Sequence, residues 1–184
     1  MMPYFKHFII DGYDALALYR YDDIIKKLIF QFKGCKDYEL RNVFLGLFRI
    51  ELKLRYFKYC LVPLPSSRKS DEERGFNHVI EIFKDLKLPF ENVLFKKKEH
   101  KQSDGHFKDR INVDKVIDIK NGGRLKGKNI LIVDDICTTG SSIRAAIKLI
   151  QKYNPKRIKI LVVAKRDFTE EELKIIGDGL PVLK

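Results

Sequence analysis

Ile130-Leu131-Ile132-Val133-Asp134-Asp135-Ile136-Cys137-Thr138-Thr139-Gly140-Ser141-Ser142 is the stretch that decides how the rest of the chain is read. Four apolar residues end in two carboxylates. A hydroxyl-rich turn with one glycine follows, and an apolar stripe at helical spacing opens behind it. That order predicts a buried strand, an acidic end, a small cradle and a helix. In open α/β sheets ligands bind at the carboxyl ends of the strands. Carboxylates there accept hydrogen bonds from sugar hydroxyls. Threonine and serine hydroxyls, with the N–H groups of a helix start, donate to phosphate. The ligand implied is a sugar phosphate. The same residues also describe a plain acidic turn with Thr139 or Ser141 capping a helix. A Walker A loop does not fit, because no Gly-Lys-Ser/Thr is present.

The run resembles the 5-phosphoribosyl-1-pyrophosphate (PRPP) motif of type I phosphoribosyltransferases: an apolar strand, two acids and a Thr-Thr-Gly loop. The expected fold is then α/β, a mostly parallel sheet of the type I phosphoribosyltransferase kind with helices on both faces. A small N-terminal α+β addition precedes it.

Working outward, the pattern supports a β-hairpin in residues 1–20, turning at Asp11-Gly12. Asp22 or Asp23 opens a helix with Ile25, Leu28, Ile29 and Phe32 inward, ended by Gly34. A second helix is expected over 37–54, with Leu40, Val43, Phe44 and Leu47 inward. Cys60–Pro65 reads as a strand running into a turn, its prolines marking the strand end. A helix follows with Phe76, Val79, Ile80, Phe83 and Leu86 on one side. Strands are expected at 92–95, 116–119, 130–133 and 158–164, with a turn at Asn121-Gly122-Gly123. A helix bearing Ile143, Ala146, Ile147 and Ile150 lies between the last two strands. Residues 96–114 are polar and aperiodic. Strand and helix alternate from residue 58 onward, so the expected division is 1–57 for the addition and 58–184 for the α/β domain.

The chain has 184 residues and carries 37 Lys and Arg against 25 Asp and Glu, a formal net charge of +12. That excess suits either a solvated lysine-rich surface or a field that draws polyanions. No apolar run approaches the roughly 18 residues of a membrane span, and the start lacks a secretory signal, so a cytoplasmic protein with no membrane partner is expected. Cys35, Cys60 and Cys137 form no C-x-x-C pair, and His7, His78, His100 and His106 show no metal-ligand spacing.

A phosphoribosyl donor presents ribose hydroxyls, a 5′-phosphate and a pyrophosphate. Asp134 and Asp135 suit the hydroxyls. Cys137, Thr138, Thr139, Gly140, Ser141 and Ser142 form the loop for the 5′-phosphate. Pro65, Ser66, Ser67 and Arg68, at the end of another strand, suit the pyrophosphate. Mg²⁺ is the expected cofactor, bridging pyrophosphate and ribose oxygens rather than sitting in a cage of protein ligands. Asp134, Asp135 and Arg74 are the candidate catalytic residues; Arg74 can equally make a surface ion pair with Asp71, Glu72 or Glu73. Residues 96–114, with Lys101, Gln102 and Arg110, suit a basic lid that closes over the site.

Val62-Pro63-Leu64-Pro65-Ser66 followed by Glu73-Arg74-Gly75-Phe76-Asn77 resembles the ComF family, the competence-associated branch of this fold. Gln102, Arg110 and Asn112-Val113 resemble its Q…R-x-N-V stretch. Tyr19-Arg20-Tyr21, Leu28-Ile29 and Phe32-Lys33-Gly34 match its N-terminal entry, with the Lys-Phe order reversed. The cysteine-rich zinc ribbon that opens many members is not in this sequence. The resemblance implies a PRPP-binding protein that handles incoming single-stranded DNA, with a competence helicase or recombination proteins as partners and homo-oligomers open. Tyr19, Tyr21, Phe5 and Phe107 are the aromatics available for base stacking. The alternative is a purine or pyrimidine salvage phosphoribosyltransferase.

Overall fold

Residues 6–20 fold back on themselves at Asp11 and Gly12, whose φ values of +48° and +83° make the two-residue turn that twisted strands prefer. Strand β1 (Lys6–Ile10) pairs antiparallel with β2 (Tyr13–Arg20). The structure is a computed structural model and describes residues 4–34, 38–66, 75–97 and 117–168. Asp22 Oδ1 accepts from Ile25 N–H at 2.9 Å and caps α1 (Asp23–Gly34), which buries Ile25, Ile29 and Phe32.

The single helix expected over 37–54 is instead broken. A 3₁₀ turn leads into α2 (Arg41–Leu45), and α3 (Arg49–Tyr56) follows after a tight turn in which Phe48 N–H bonds Leu45 C=O at 2.9 Å. That turn resets the inward face. Phe44, Phe48, Leu52 and Tyr56 are buried, while Val43 and Leu47 point outward. Next come β3 (Tyr59–Pro63), buried throughout, and the short α4 (His78–Phe83). On α4 it is Ile82 rather than Ile80 that is buried, beside Val79 and Phe83. Strands β4 (Leu94–Lys96) and β5 (Ile117–Ile119) form a separate antiparallel pair. Strand β6 (Asn129–Cys137), α5 (Ser141–Gln151) and β7 (Arg157–Lys165) complete the described elements.

The main sheet runs β1-β2-β7-β6-β3, parallel except for β1. Side chains alternate across it. Leu131, Val133, Leu161 and Val163 meet α1 to α4 on one face, whereas Ile130, Ile132, Ile160 and Val162 meet α5 and the β4–β5 pair on the other. Helices thus cover both faces, as expected of the fold class. The N-terminal hairpin is not a detached appendage, because β2 pairs directly with β7. The outer edge of β3 is also occupied: Leu61 exchanges backbone hydrogen bonds with Pro89 and Glu91.

Strand β6 is longer than the 130–133 expected, since β7 offers it partners as far as Lys165 opposite Cys137. Both acids therefore lie within the strand.

The turn before β6 rests on a close contact. A Cβ at Gly122 would stand within 2.6 Å of three carbons of the Tyr153 ring. Gly122→Ala is expected to cost about 1–3 kcal/mol through this overpacking. Urea denaturation should show a lower midpoint, restored in part by Tyr153→Ala in the double variant; an unchanged midpoint would refute the contact.

Candidate functional site

Leu64 N–H bonds Val133 C=O at 2.9 Å and so carries the end of β3 alongside β6. Pro65 and Ser66 follow, half-buried, beside the acids. Asn77 secures this turn: its Nδ2 donates to Ser66 Oγ at 3.0 Å, and its Oδ1 accepts from Ile80 N–H at 3.0 Å, capping α4. Ser67, Arg68, Arg74, Lys101, Gln102 and Arg110 lie outside the described residues.

The second cradle follows β6. Gly140 has φ of +75°, a left-handed conformation that a side chain would strain, and it occupies the N-cap of α5. Glycine brings no capping side chain. Ser141 N–H meets only Thr139 Oγ1, at 3.4 Å, and the two hydroxyls of Thr139 and Ser141 are 2.7 Å apart. The helix start thus presents amides and hydroxyls, with Ser142 half-buried and Thr138 exposed beside them. Arg144 holds the loop from behind, donating to Thr139 C=O at 2.7 Å and to Asp11 of the hairpin turn at 3.0 Å.

The two acids are unlike. Asp135 is buried and faces the helical layer, where Lys33 of α1 forms an ion pair with its Oδ2 and His78 Nε2 of α4 lies 3.6 Å from the same oxygen. Burial alone would raise its pKa; His78 and the Lys33 charge override burial and hold the carboxyl well below the usual range. Asp134 is half-buried and accepts from Asp135 N–H at 2.9 Å. Its surroundings withhold water from it and Asp135 stands next to it, so its carboxyl is pushed well above the usual range. Two acids on successive residues thus differ: Asp135 is paired from the helical layer, and Asp134 is not.

Cys137 ends β6 rather than joining the loop. It is 1% exposed, and burial, followed by the charge of Asp134, pushes its thiol up to about 12. It is a core residue here, with no thiolate character.

Sequence reasoning overlooked Lys33, His78 and Arg144. Lys33 was visible only as part of an N-terminal pattern, and nothing in the spacing ties it to a strand a hundred residues on. A second overlooked group stands at the end of β7. Asp167 accepts from Tyr4 hydroxyl at 2.8 Å, Lys6 at 2.8 Å and Lys165 at 3.0 Å, which tie the hairpin to the sheet's carboxyl edge. Of the aromatics considered for stacking, Tyr19 is buried, and Phe5 packs edge-on against Phe48 with centroids 4.6 Å apart. Tyr21 packs against the core, and Phe107 lies outside the described residues.

A family model, the phosphoribosyl transferase domain, matches residues 72–176, a span that includes the acid pair and the start of α5. The chain belongs to this family. Among its relatives, the competence protein ComFC of Bacillus subtilis is 31% identical over 134 residues, covering 72% of this chain and 55% of that protein. ComFC of Streptococcus pneumoniae is 30% identical over 148 residues, covering 80% and 66%. The chain therefore spans between about half and two thirds of the length of these relatives. The crystal structure of a purine phosphoribosyltransferase from Pyrococcus horikoshii matches 71% of this chain and 76% of its own, at 22% identity and a TM-score of 0.45. Among the described residues no helix is long and apolar enough to cross a membrane.

Proposed function

We propose that this phosphoribosyltransferase-family protein binds PRPP with Mg²⁺ between the two cradles and serves in the cytoplasm in a competence-related role, handling incoming single-stranded DNA. The observation that carries the small-molecule half is the placement of Asp134 between the Pro65–Ser66 turn and the glycine-capped start of α5. Asp134 takes the ribose side with Asp135 held behind it by Lys33, residues 138–142 take the 5′-phosphate, and residues 65–68 with Arg74 the pyrophosphate. The 1–57 addition supports the site through Lys33; the expected lid over 96–114 lies outside the described residues from 98 onward. Among the described residues no three metal-ligating side chains stand together. The half-buried Asp134 carboxyl nevertheless suits contact with a Mg²⁺ brought in on the ligand's oxygens, and that ion would neutralise the leaving pyrophosphate. The similarity to ComFC proteins supports the competence half.

Calorimetric titration with PRPP and Mg²⁺ tests the reading. Saturation at about a hundred times Kd should add about 2.7 kcal/mol of stability, visible as a rise of roughly 5–10 °C in Tm. No heat and no shift in folded protein would sink the PRPP site. Adding hypoxanthine, adenine or uracil and assaying pyrophosphate release separates the alternatives: turnover with any of them replaces the competence reading with base salvage.

A further inference from the structure

Among the described residues a cluster of positive charge stands at the end of the sheet opposite the proposed phosphoribosyl cradles. The segments Lys120-Asn121-Gly122-Gly123-Arg124-Leu125-Lys126-Gly127-Lys128 and Lys152-Tyr153-Asn154-Pro155-Lys156-Arg157 lead into β6 and β7 respectively. Backbone bonds lock them side by side: Gly127 N–H to Asn154 C=O at 3.0 Å, and Lys156 N–H to Lys128 C=O at 2.8 Å. Asn129 Nδ2 reaches Lys58 C=O at 3.2 Å and adds the segment before β3. Positive φ at Asn121, Gly127 and Asn154 keeps these connections tight.

The described acids neighbouring this face are engaged, Asp14 with Lys159 at 3.4 Å among them. Glu91 pairs with Lys128 at 2.9 Å and Arg124 at 3.7 Å, and Asp118 pairs with Lys97 at 3.2 Å. Lys58, Lys120, Lys126, Lys152, Lys156 and Arg157 are exposed. Their like charges are held on one face by backbone turns. That arrangement costs self-repulsion, which a polyanion would relieve. Leu125 of these segments is buried, and Phe57 at the rim is exposed with the Lys58 ammonium 5.1 Å from its ring centroid.

We propose that this amino-terminal edge of the parallel sheet is a nucleic-acid-binding face, contacting a single strand through its phosphates without reading bases. The inference deepens the DNA half of the proposed function and rests on it. Asp134 and Asp135 lie five and six residues beyond Asn129 on β6, which at ~3.3 Å per residue puts the face roughly 20 Å from the acid pair. Strand and PRPP should therefore bind together.

Fluorescence anisotropy with a labelled 20-nucleotide single strand of mixed sequence tests this on the full chain. The variant Lys152→Glu/Lys156→Glu is compared with Lys26→Glu/Lys27→Glu, which makes the same charge change on exposed positions of α1. At 50 mM salt the face variant should bind at least about tenfold more weakly, with a log–log salt slope shallower by about 1.4 for two lost contacts. The α1 variant should keep the wild-type slope, saturating PRPP should leave affinity unchanged, and an unrelated oligonucleotide sequence should bind equally. Equal losses in both variants, or competition by PRPP, would overturn the location. A wild-type chain that binds no oligonucleotide at low salt would remove the DNA reading and this face with it. Binding to phosphatidylcholine–phosphatidylglycerol vesicles, lost in the same variant while the oligonucleotide is ignored, would assign the face to membranes instead.

Discussion

At pH 8, Asp134→Asn is expected to raise Tm by about 2–4 °C, while Asp135→Asn lowers it by roughly 4–10 °C. The neighbours differ in sign because their surroundings differ. Asp134 has a carboxyl pKa raised by lost hydration and by the adjacent Asp135 charge. A raised carboxylate favours folding only while protonated. Its benefit is present in acid and is lost as pH rises through the folded value, so at pH 8 it is a cost that asparagine removes. Asp135 has a lowered pKa. It contributes stability above the unfolded value near 3.8, and that contribution fades as pH falls through the folded one. Asparagine forfeits it at pH 8 and strands the Lys33 ammonium, which is about 30% exposed and so recovers part of the loss in water. Toward pH 3 both differences should shrink. Yet the stabilised Asp134→Asn protein should bind PRPP about 10–100-fold more weakly, since a charge-assisted hydrogen bond of roughly 1.5–3 kcal/mol is gone. Thermal melts at pH 8 and pH 3, with one titration each, check the pair. Equal shifts of the same sign would mean that the two carboxylates share one environment.

What the sequence discloses is whatever depends on local period. The Asp-Gly hairpin, the β3 and β6 strands and the Ile143–Ile150 stripe are read correctly because alternation and helical spacing are properties of neighbours. The 37–54 segment is misread because a three-residue turn changes the inward face without interrupting the apolar density. The length of β6 is misread because strand ends are set by the partner strand, here β7, and not by the residues themselves. The same divide runs through the candidate site. The acids and the Thr-Thr-Gly loop stand out as a motif. Their unequal roles do not, because Lys33 and His78 approach Asp135 from separate helices, and Asp11 reaches Arg144 across the sheet. Chemistry contributed by one element is legible, whereas chemistry completed by packing is not.

Lys33→Met is expected to weaken PRPP binding about tenfold although Lys33 touches no proposed ligand group. Asp135 Oδ2 is the point where three elements meet: Lys33 from α1, His78 from α4 and the strand that feeds the 138–142 loop. His78 adjoins Asn77, which donates to Ser66 in the other cradle. The ion pair therefore braces both cradles, and a shift of about 1 Å in such a brace can cost a hundredfold in a site that depends on placement. Methionine keeps the aliphatic stem and removes only the charge. Lys33→Arg should recover most of the affinity. In the Lys33→Met/Asp135→Asn double variant, neither partner is left charged and alone. Its affinity should then fall no further than that of Asp135→Asn, a coupling that independent sites do not show. Ribose 5-phosphate and pyrophosphate, titrated separately, should both lose affinity in Lys33→Met, because the brace serves both cradles. Multiplying losses in the double variant, or a loss confined to one fragment, would reduce Lys33 to a local contact and leave the N-terminal helix a covering layer without influence on the site.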